Sequence, residues 1–197
     1  MLKRFATLII TLSICVGSVW AGDVEEAGAA FDKKDYITAL KKYKSAANNN
    51  DAHAQTMLGS FYSEGLGVKQ DILEAVRWYK MAAVQGYSIA QYNLGVMYAN
   101  GQGVIQDYAE AVRWYKLAAA QGDAEAQSNL GLMYLNGQGV LQNNVQAHMW
   151  FNISAVKGGN ISVKNREVVA NKMTTEQIAQ AQRLAKECQA RNYKNCD

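Results

Sequence analysis

The sequence contains no proline, and among its 197 residues it has only two histidines and three cysteines. Without proline, no predicted helix has to be kinked or ended by that ring. Neither His53 nor His148 belongs to a cluster with metal-ligand spacing, so we predict no metal site. The chain also lacks a serine elbow, a zinc-protease helix and a nucleophile–base constellation. We therefore predict no catalytic residue, no cofactor and no enzymatic activity.

The sequence also lacks a long basic tract or a nucleic-acid-binding signature, so we expect no nucleic-acid partner. The formal net charge is +3, but two positive charges, Lys3 and Arg4, belong to the extreme N-terminus. Residues 22–156 carry 10 basic and 13 acidic side chains, whereas residues 157–197 carry 8 and 4. This asymmetry is typical of a solvated surface, and steering of an acidic partner to the C-terminal part is the alternative.

The N-terminal residues have the layout of an export signal. Lys3 and Arg4 precede an apolar stretch to about Val16, and Val19-Trp20-Ala21 matches a small-x-small cleavage site. The apolar stretch is short for a membrane anchor, which is the alternative interpretation. We predict cleavage after Ala21, a periplasmic or secreted protein, and no stable membrane span after cleavage.

Two cysteines, Cys188 and Cys196, follow the predicted cleavage site. An even number of cysteines outside the cytoplasm favours a disulfide, which here would close a short C-terminal loop. A redox-active pair is the alternative, but it would favour a C-x-x-C spacing that these residues do not have. A structural bridge across so short a loop would contribute about 2–3 kcal/mol.

The most informative feature that the sequence does contain is a 36-residue internal repeat. Glycine, alanine and aromatic residues recur at fixed positions in three consecutive copies. The recurring set includes Gly59, Gly95 and Gly131, and the aromatic pairs Trp78-Tyr79, Trp114-Tyr115 and Trp150-Phe151. A period of this size is typical of a solenoid, in which one supersecondary unit stacks on copies of itself.

Each copy contains two segments of helical periodicity. In the second copy the first segment runs from Ser88 to about Ala99, and Ser88 and Gln91 have capping-box spacing. The second segment begins at Asp107, whose side chain can accept from a helix amide while Glu110 reaches back. The G-x-G loops between segments follow no strand and lack the residues of a phosphate loop, so we interpret them as turns. Equivalent caps are predicted at Asp71 and Asn143.

These elements predict an all-α fold: an α/α solenoid, a right-handed superhelix of antiparallel helix pairs with about three full repeats between capping helices. The final helix is expected from about Thr175 to Ala190, with Thr174 and Gln177 as its capping box. The predicted organisation is a signal peptide at 1–21, a divergent N-terminal capping repeat at 22–53, three repeats at 54–158, and C-terminal capping helices and tail at 159–197.

The repeated large and small side chains have a predicted packing role. Gly95 allows two helices to approach closely, and Trp78, Trp114 and Trp150 are expected to pack between repeats rather than to form a ligand cage. Arginines precede two of these tryptophans. We interpret Arg113 and its equivalent in the first copy as exposed residues whose stems cover apolar surface, and carboxylate binding is the alternative role.

The pattern A-Q-x-x-L-G-x-x-Y-x-x-G-x-G-V, followed by A-x-x-W-Y-x-x-A-A-x-x-G, resembles the Sel-one-like repeat, an α/α unit related to the tetratricopeptide repeat. The resemblance covers Ala54 to Gly158. It implies an exported scaffold that mediates protein–protein interaction in the cell envelope or outside the cell. Two alternatives are a peptidoglycan-associated regulator of a wall enzyme and a β-lactam-binding or β-lactam-hydrolysing enzyme. Relatives linked to the latter have a cysteine pair in every repeat, which this chain lacks.

The resemblance also implies a partner-binding face, because the related tetratricopeptide superhelix binds partners on its concave side, along the first helices. The transferred positions vary between copies, as expected for a ligand face, and drift on an unconstrained surface accounts for the variation equally well. An apolar floor flanked by amides would suit an extended protein or peptide segment. The predicted partner-binding residues are Tyr92, Val96, Asn100, Glu125, Leu132 and Asn136.

Overall fold

The computed structural model describes residues 22–156 and 160–196, and in these ranges the chain forms ten α-helices and no β-strand. The predicted signal peptide lies outside the described residues. The all-α fold built from consecutive helix pairs is confirmed. The helices are α1 (22–32), α2 (Tyr36–Asn48), α3 (Ala52–Glu64), α4 (Ile72–Val84), α5 (Ser88–Asn100), α6 (Tyr108–Ala119), α7 (Ala124–Asn136), α8 (Asn144–Ala155), α9 (Asn160–Ala170) and α10 (Thr175–Ala190).

The helices form two compact units, which divide between Gln85 and Gly86. In the first unit, α3 packs against α2 and α4, and the core contains the fully buried Leu58 and Phe61. In the second unit, α7 packs between α6 and α8, while α8 also contacts α9 and α10. Its core includes Phe151, which is 0% exposed. Each unit therefore buries its own set of repeated apolar residues.

The repeated glycine of each first helix lies against the repeated aromatic ring of the helix that follows. A Cβ atom placed on Gly95 would lie 2.7 Å from the ring of Tyr115, and one on Gly131 would lie 2.7 Å from that of Phe151. These rings are almost completely buried, so they have little room to move. Glycine at this position is therefore what allows the two helices to pack at this distance, as the sequence predicts.

The second helices begin at the predicted N-caps. Asp107 accepts hydrogen bonds from the amides of Ala109 and Glu110 at 2.9 and 3.0 Å. The expected return bond from the Glu110 side chain does not form, because that carboxylate pairs with Arg113 at 2.8 Å. The equivalent caps are Asp71 and Asn143.

The predicted capping box of Ser88 and Gln91 is wrong. Helix α5 already includes Ser88, so its N-cap is Tyr87, which makes no side-chain cap hydrogen bond. The same position in the neighbouring copies holds Asp51 and Asp123, and both carboxylates cap their helices. The second copy therefore lacks a cap that the other two copies have.

The predicted final helix and the predicted disulfide are confirmed. Helix α10 spans Thr175–Ala190, and both hydrogen bonds of the Thr174–Gln177 capping box are present. Cys188 and Cys196 form the predicted disulfide. Inside the loop that the bridge closes, the Tyr193 amide donates to the Cys188 carbonyl at 2.9 Å. The bridge thus holds the last described residues against the end of α10.

The repeated glutamine of the A-Q pair is a buried hydrogen-bonding residue, a role that the sequence pattern does not predict. In the first unit, Gln55 donates through Nε2 to the Ala47 carbonyl at 3.2 Å and accepts at Oε1 from Gln85 at 2.7 Å. In the second unit, Gln91 accepts from Gln121 at 2.8 Å. These bonds link each glutamine to residues up to 30 positions away in sequence, so the glutamine is part of the scaffold.

Candidate partner-binding site

Helix α5 carries three of the predicted binding residues on one side, because Tyr92, Val96 and Asn100 follow one another at intervals of four residues. Tyr92 and Val96 are half-buried and pack against the core of the second unit. Asn100 is the last residue of the helix and is exposed. The helix therefore offers an apolar strip that ends in a polar amide.

Helix α7 repeats this arrangement with different side chains. Leu132 is half-buried against the same core, and Asn136 ends the helix as an exposed residue. Glu125 is exposed in the first turn. We call the surface made by Tyr92, Val96, Asn100, Glu125, Leu132 and Asn136 the α5/α7 face.

Tyr92 connects the two helices of this face. The side chain of Asn129, on α7, hydrogen-bonds the hydroxyl groups of Tyr92 and Tyr115, and the two rings lie 6.2 Å apart. Burial raises the pKa of Tyr92, and the carboxylates of Glu125 and Asp123 raise it further. Tyr92 is therefore a neutral donor and acceptor whose position is set by internal contacts.

The amides at the ends of α5 and α7 are displayed by a repeated turn. The residue after Asn100 and the residue after Asn136 are glycines with φ of +67°, which end both helices in the same way. A loop glutamine then satisfies a carbonyl of the last turn: Gln106 donates to Ala99 at 2.7 Å, and Gln142 repeats this contact at 2.8 Å. The exposed asparagines thus extend from ends that are already capped.

One neighbouring position on α7, Ser128, has a structural role. Ser128 accepts a hydrogen bond from the Ser162 hydroxyl at 2.9 Å, and Ser162 contacts the Ser154 hydroxyl at 2.8 Å. Ser154 in turn donates to the Ala124 carbonyl at 2.8 Å. Because its hydroxyl belongs to this network, Ser128 is a poor candidate for contact with a partner.

The repeated geometry described above agrees with a known sequence family. The profile of the Sel1 repeat matches residues 52–87, 88–123 and 124–158. This chain belongs to the Sel1 repeat family. The α5/α7 face therefore lies on the first helices of the second and third Sel1 repeats, and each matched repeat contributes one helix pair to the fold.

Solved structures of Sel1 repeat proteins resemble this chain. The uropathogenic Escherichia coli protein c5321, described as a protective antigen with an SLR fold, matches with a TM-score of 0.80 and 32% identity over 88% of this chain and 39% of its own. A Sel1 repeat protein from Oxalobacter formigenes matches with a TM-score of 0.66 and 27% identity, covering 84% and 75% of the two chains. Helicobacter pylori cysteine rich protein B matches with a TM-score of 0.53 and 23% identity, over 67% and 95%.

These structural matches differ in how much they indicate about the present chain. The present chain spans 39% of the length of c5321. The likeness to cysteine rich protein B, at 23% identity, shows a common fold. No curated protein matches the chain significantly. Sel1 repeats typically serve as scaffolds for protein–protein interaction.

His148 is a buried titratable group of the third Sel1 repeat. It is 3% exposed on α8, and its Nδ1 has no hydrogen-bond partner among the described residues. Arg166 of α9 occupies the position of Leu130 one repeat earlier and donates to Asn152 at 3.0 Å. Burial lowers the pKa of His148, and the guanidinium of Arg166 lowers it further. In the described ranges, no cluster of side chains suited to a metal ion surrounds this histidine.

We predict that His148 makes the second unit less stable in acid. The folded protein binds its proton with a pKa below the ordinary value of 6.5, so the unfolded chain protonates first as the pH falls. The stability that neutral His148 contributes is present above pH 6.5. It is lost as the pH falls from 6.5 toward the pKa of His148 in the folded protein. The melting temperature measured from pH 7.5 to pH 5 should fall less steeply for H148Q than for the wild type. The H53Q variant is the control and should keep the wild-type slope; equal slopes for all three proteins would contradict the prediction.

Proposed function

We propose that this protein is an exported Sel1 repeat scaffold that binds a protein or peptide segment through the α5/α7 face. The observation that carries the proposal is the arrangement of this face. Half-buried Tyr92, Val96 and Leu132 form its floor, and the exposed amides of Asn100 and Asn136 stand at the helix ends. Apolar anchors supply affinity in such interfaces, and amides can bond a backbone carbonyl and N–H together.

The charge on this face favours one kind of partner. Glu125 and Asp123 lie at the start of α7, close enough to Tyr92 to raise its pKa. Asp123 is half-buried and caps the helix, whereas Glu125 is exposed. A segment with apolar side chains and a basic residue opposite Glu125 fits this pattern, and an acidic residue there would be repelled.

The rigidity of the face supports the same conclusion. Tyr92 is held by Asn129 and by the ring of Tyr115, and Leu132 packs into the core of the second unit. Side chains that are already ordered lose little conformational entropy on binding, so more of the contact energy appears as affinity. Such a surface would capture a flexible segment at low entropic cost to the scaffold.

Export is the second part of the proposal. It rests on the predicted signal peptide ending at Ala21 and on the disulfide between Cys188 and Cys196, a bond that persists in oxidising compartments. Among the described helices, none is long and apolar enough to cross a membrane. The periplasm and the extracellular medium are the two compartments that fit these features.

We expect the N100A/E125A/N136A variant to lose partner capture while keeping its fold. All three side chains are exposed, so their removal should change the melting temperature little. A photoreactive amino acid placed at Val96 in the native cell envelope would report capture as a crosslinked band of higher mass. In the variant that band should fall by about tenfold or more, because loss of about 1.4 kcal/mol already weakens binding tenfold.

The matched control is Q180A/Q182A/E187A on helix α10. It also removes two amides and one carboxylate from exposed positions, but it does so outside the α5/α7 face. This variant should give the same crosslinked band as the wild type. Capture that survives in N100A/E125A/N136A, or that is lost equally in both variants, would show that the face is not the binding site.

A further inference from the structure

Helix α9 carries exposed aliphatic side chains along one side. Ile161 is 71% exposed and Val168 is 52% exposed, so each has more than half of its surface in water. Lys164 lies between them, and these three residues fall within about 60° of the helix circumference. Lys172 extends the line by about one turn, just after the end of the helix. We call Ile161, Lys164, Val168 and Lys172 the α9 stripe, and none of them belongs to the α5/α7 face.

The other side of α9 holds the helix in place on the second unit. Ser162 is 2% exposed and Val169 is 0% exposed, and α9 packs against α8. The Ser162 hydroxyl lies 2.8 Å from that of Ser154, and Arg166 donates to Asn152 at 3.0 Å. These contacts fix the rotation of α9 about its own axis. The α9 stripe is therefore turned away from the core, and its position is set before anything binds to it.

The region around the α9 stripe has a surplus of positive charge. Residues 160–196 contain seven basic and three acidic side chains, a difference of four charges. On α9 itself, Lys164 and Arg166 accompany a single acidic residue, Glu167. Lys164 and Lys172 are both exposed, and in the described part of the chain neither makes an ion pair. Such a surplus is complementary to an anionic surface, and the α5/α7 face does not account for it.

The shape of the α9 stripe favours a lipid surface over a protein partner. An apolar anchor in a protein interface normally fills a pocket of the other protein. The aliphatic side chains of the stripe protrude into solvent, so a protein partner would need a separate pocket for each of them. A bilayer receives protruding side chains at any spacing. The stems of the flanking lysines can lie along its apolar layer while their ammonium groups reach the lipid phosphates.

We propose that the α9 stripe docks this protein on the surface of an anionic lipid bilayer. Ile161 and Val168 enter the boundary between headgroups and acyl chains, and Lys164 and Lys172 contact the lipid phosphates. With 11 residues, α9 lies along the membrane surface and is too short to cross it. This docking goes beyond the proposed function, because it adds a second surface that acts independently of whatever the α5/α7 face binds.

Cosedimentation of the purified protein with lipid vesicles tests the proposal. Vesicles of phosphatidylglycerol and phosphatidylcholine in equal parts should bind the wild type about tenfold or more tightly than vesicles of phosphatidylcholine alone, because each lysine near an anionic surface contributes about fivefold. K164Q/K172Q should therefore bind the mixed vesicles about tenfold or more weakly than the wild type. I161Q/V168Q should lose a similar factor, since its two side chains no longer gain from leaving water. Equal binding of the wild type to both kinds of vesicle would overturn the proposal.

Two matched controls change the same kinds of residue outside α9. Ile105 and Leu141 are each 91% exposed in loops of the second unit, and Lys69 and Lys80 are exposed in the first unit. I105Q/L141Q and K69Q/K80Q should bind the mixed vesicles as the wild type does. All these proteins have the same N-terminus, so any membrane affinity of residues 1–21 is common to them. Losses as large in the controls as in the α9 variants would contradict the proposal.

A soluble acidic polymer distinguishes a lipid surface from an acidic protein segment. Poly-glutamate offers negative charge without an apolar layer, so it should bind the wild type about tenfold more weakly than the mixed vesicles and should not discriminate against I161Q/V168Q. Poly-glutamate that binds as tightly as the vesicles, or that binds when the vesicles do not, would overturn the proposal. Circular dichroism establishes that the variants are folded. We expect that they are, because glutamine favours an exposed helix position at least as much as isoleucine or valine does.

Discussion

The G139A variant should unfold with a free energy about 3 kcal/mol or more below that of the wild type. Gly139 has a φ of +70°, which costs a residue with a Cβ atom about 1–2 kcal/mol. The added Cβ would also lie 2.7 Å from the backbone nitrogen of Ala109 and collide with the carbonyl of Tyr108. Because the obstacle is the backbone of α6 and not a flexible side chain, relief requires the loop and the helix to separate.

G86A separates these two contributions. Gly86 has a φ of +92°, but a Cβ atom there would meet nothing within 4 Å, so only the conformational cost applies. We expect this control to lose about 1–2 kcal/mol, and urea unfolding of both variants supplies the comparison. If G139A were no less stable than G86A, the close contact with Tyr108 and Ala109 would not constrain the repeat.

Helix ends can be predicted well where the signal is local. Thr174 and Gln177 fix the start of α10, and Asp107 fixes that of α6, because a cap depends on residues three positions apart. The same local signal is misleading at Ser88. The alignment of copies places Tyr87 opposite Asp51 and Asp123, and this register identifies the N-cap that local spacing misses.

The long-range hydrogen bonds could not be predicted from periodicity alone. The bond between Gln91 and Gln121 joins residues 30 positions apart. Periodicity marks both as recurring, but it does not show that they meet. The serine network left a weak signal, because Ser154 and Ser162 replace alanines at repeated buried positions. Serines at two positions where the other copies have alanine suggest a hydrogen bond only if the two helices are known to be in contact.

The α5/α7 face also has one aspect that the sequence predicts and one that it does not. Its register follows from the repeat, and the resemblance to the tetratricopeptide superhelix then names six residues on the first helices. Their surroundings could not be inferred, because the hydrogen bond between Tyr92 and Asn129 depends on how α5, α6 and α7 pack. That contact makes Tyr92 a poor residue to mutate as a test of binding, and it directs the experiment to Asn100, Glu125 and Asn136.

The contact between Gly131 and Phe151 supports the second large prediction. Phe151 is 0% exposed, and its replacement by alanine should lower the free energy of unfolding by about 3–5 kcal/mol. In the wild type, G131A should also destabilise, by about 1–3 kcal/mol, because the new Cβ would lie 2.7 Å from a ring with no room to move. Each substitution alone thus harms the packing of α7 on α8.

The effects of G131A and F151A on the free energy of unfolding should not be additive in the double variant. In the F151A background the ring is absent, so the Cβ that G131A introduces enters vacated space, and alanine gains up to about 1 kcal/mol over glycine inside a helix. G131A should therefore be neutral or stabilising in that background, which reverses its sign. Urea unfolding of the four proteins measures the coupling, and the equivalent pair Gly95 and Tyr115 should behave in the same way. Simple additivity would mean that the repeated spacing of these helices is set elsewhere than at the glycine–aromatic contact.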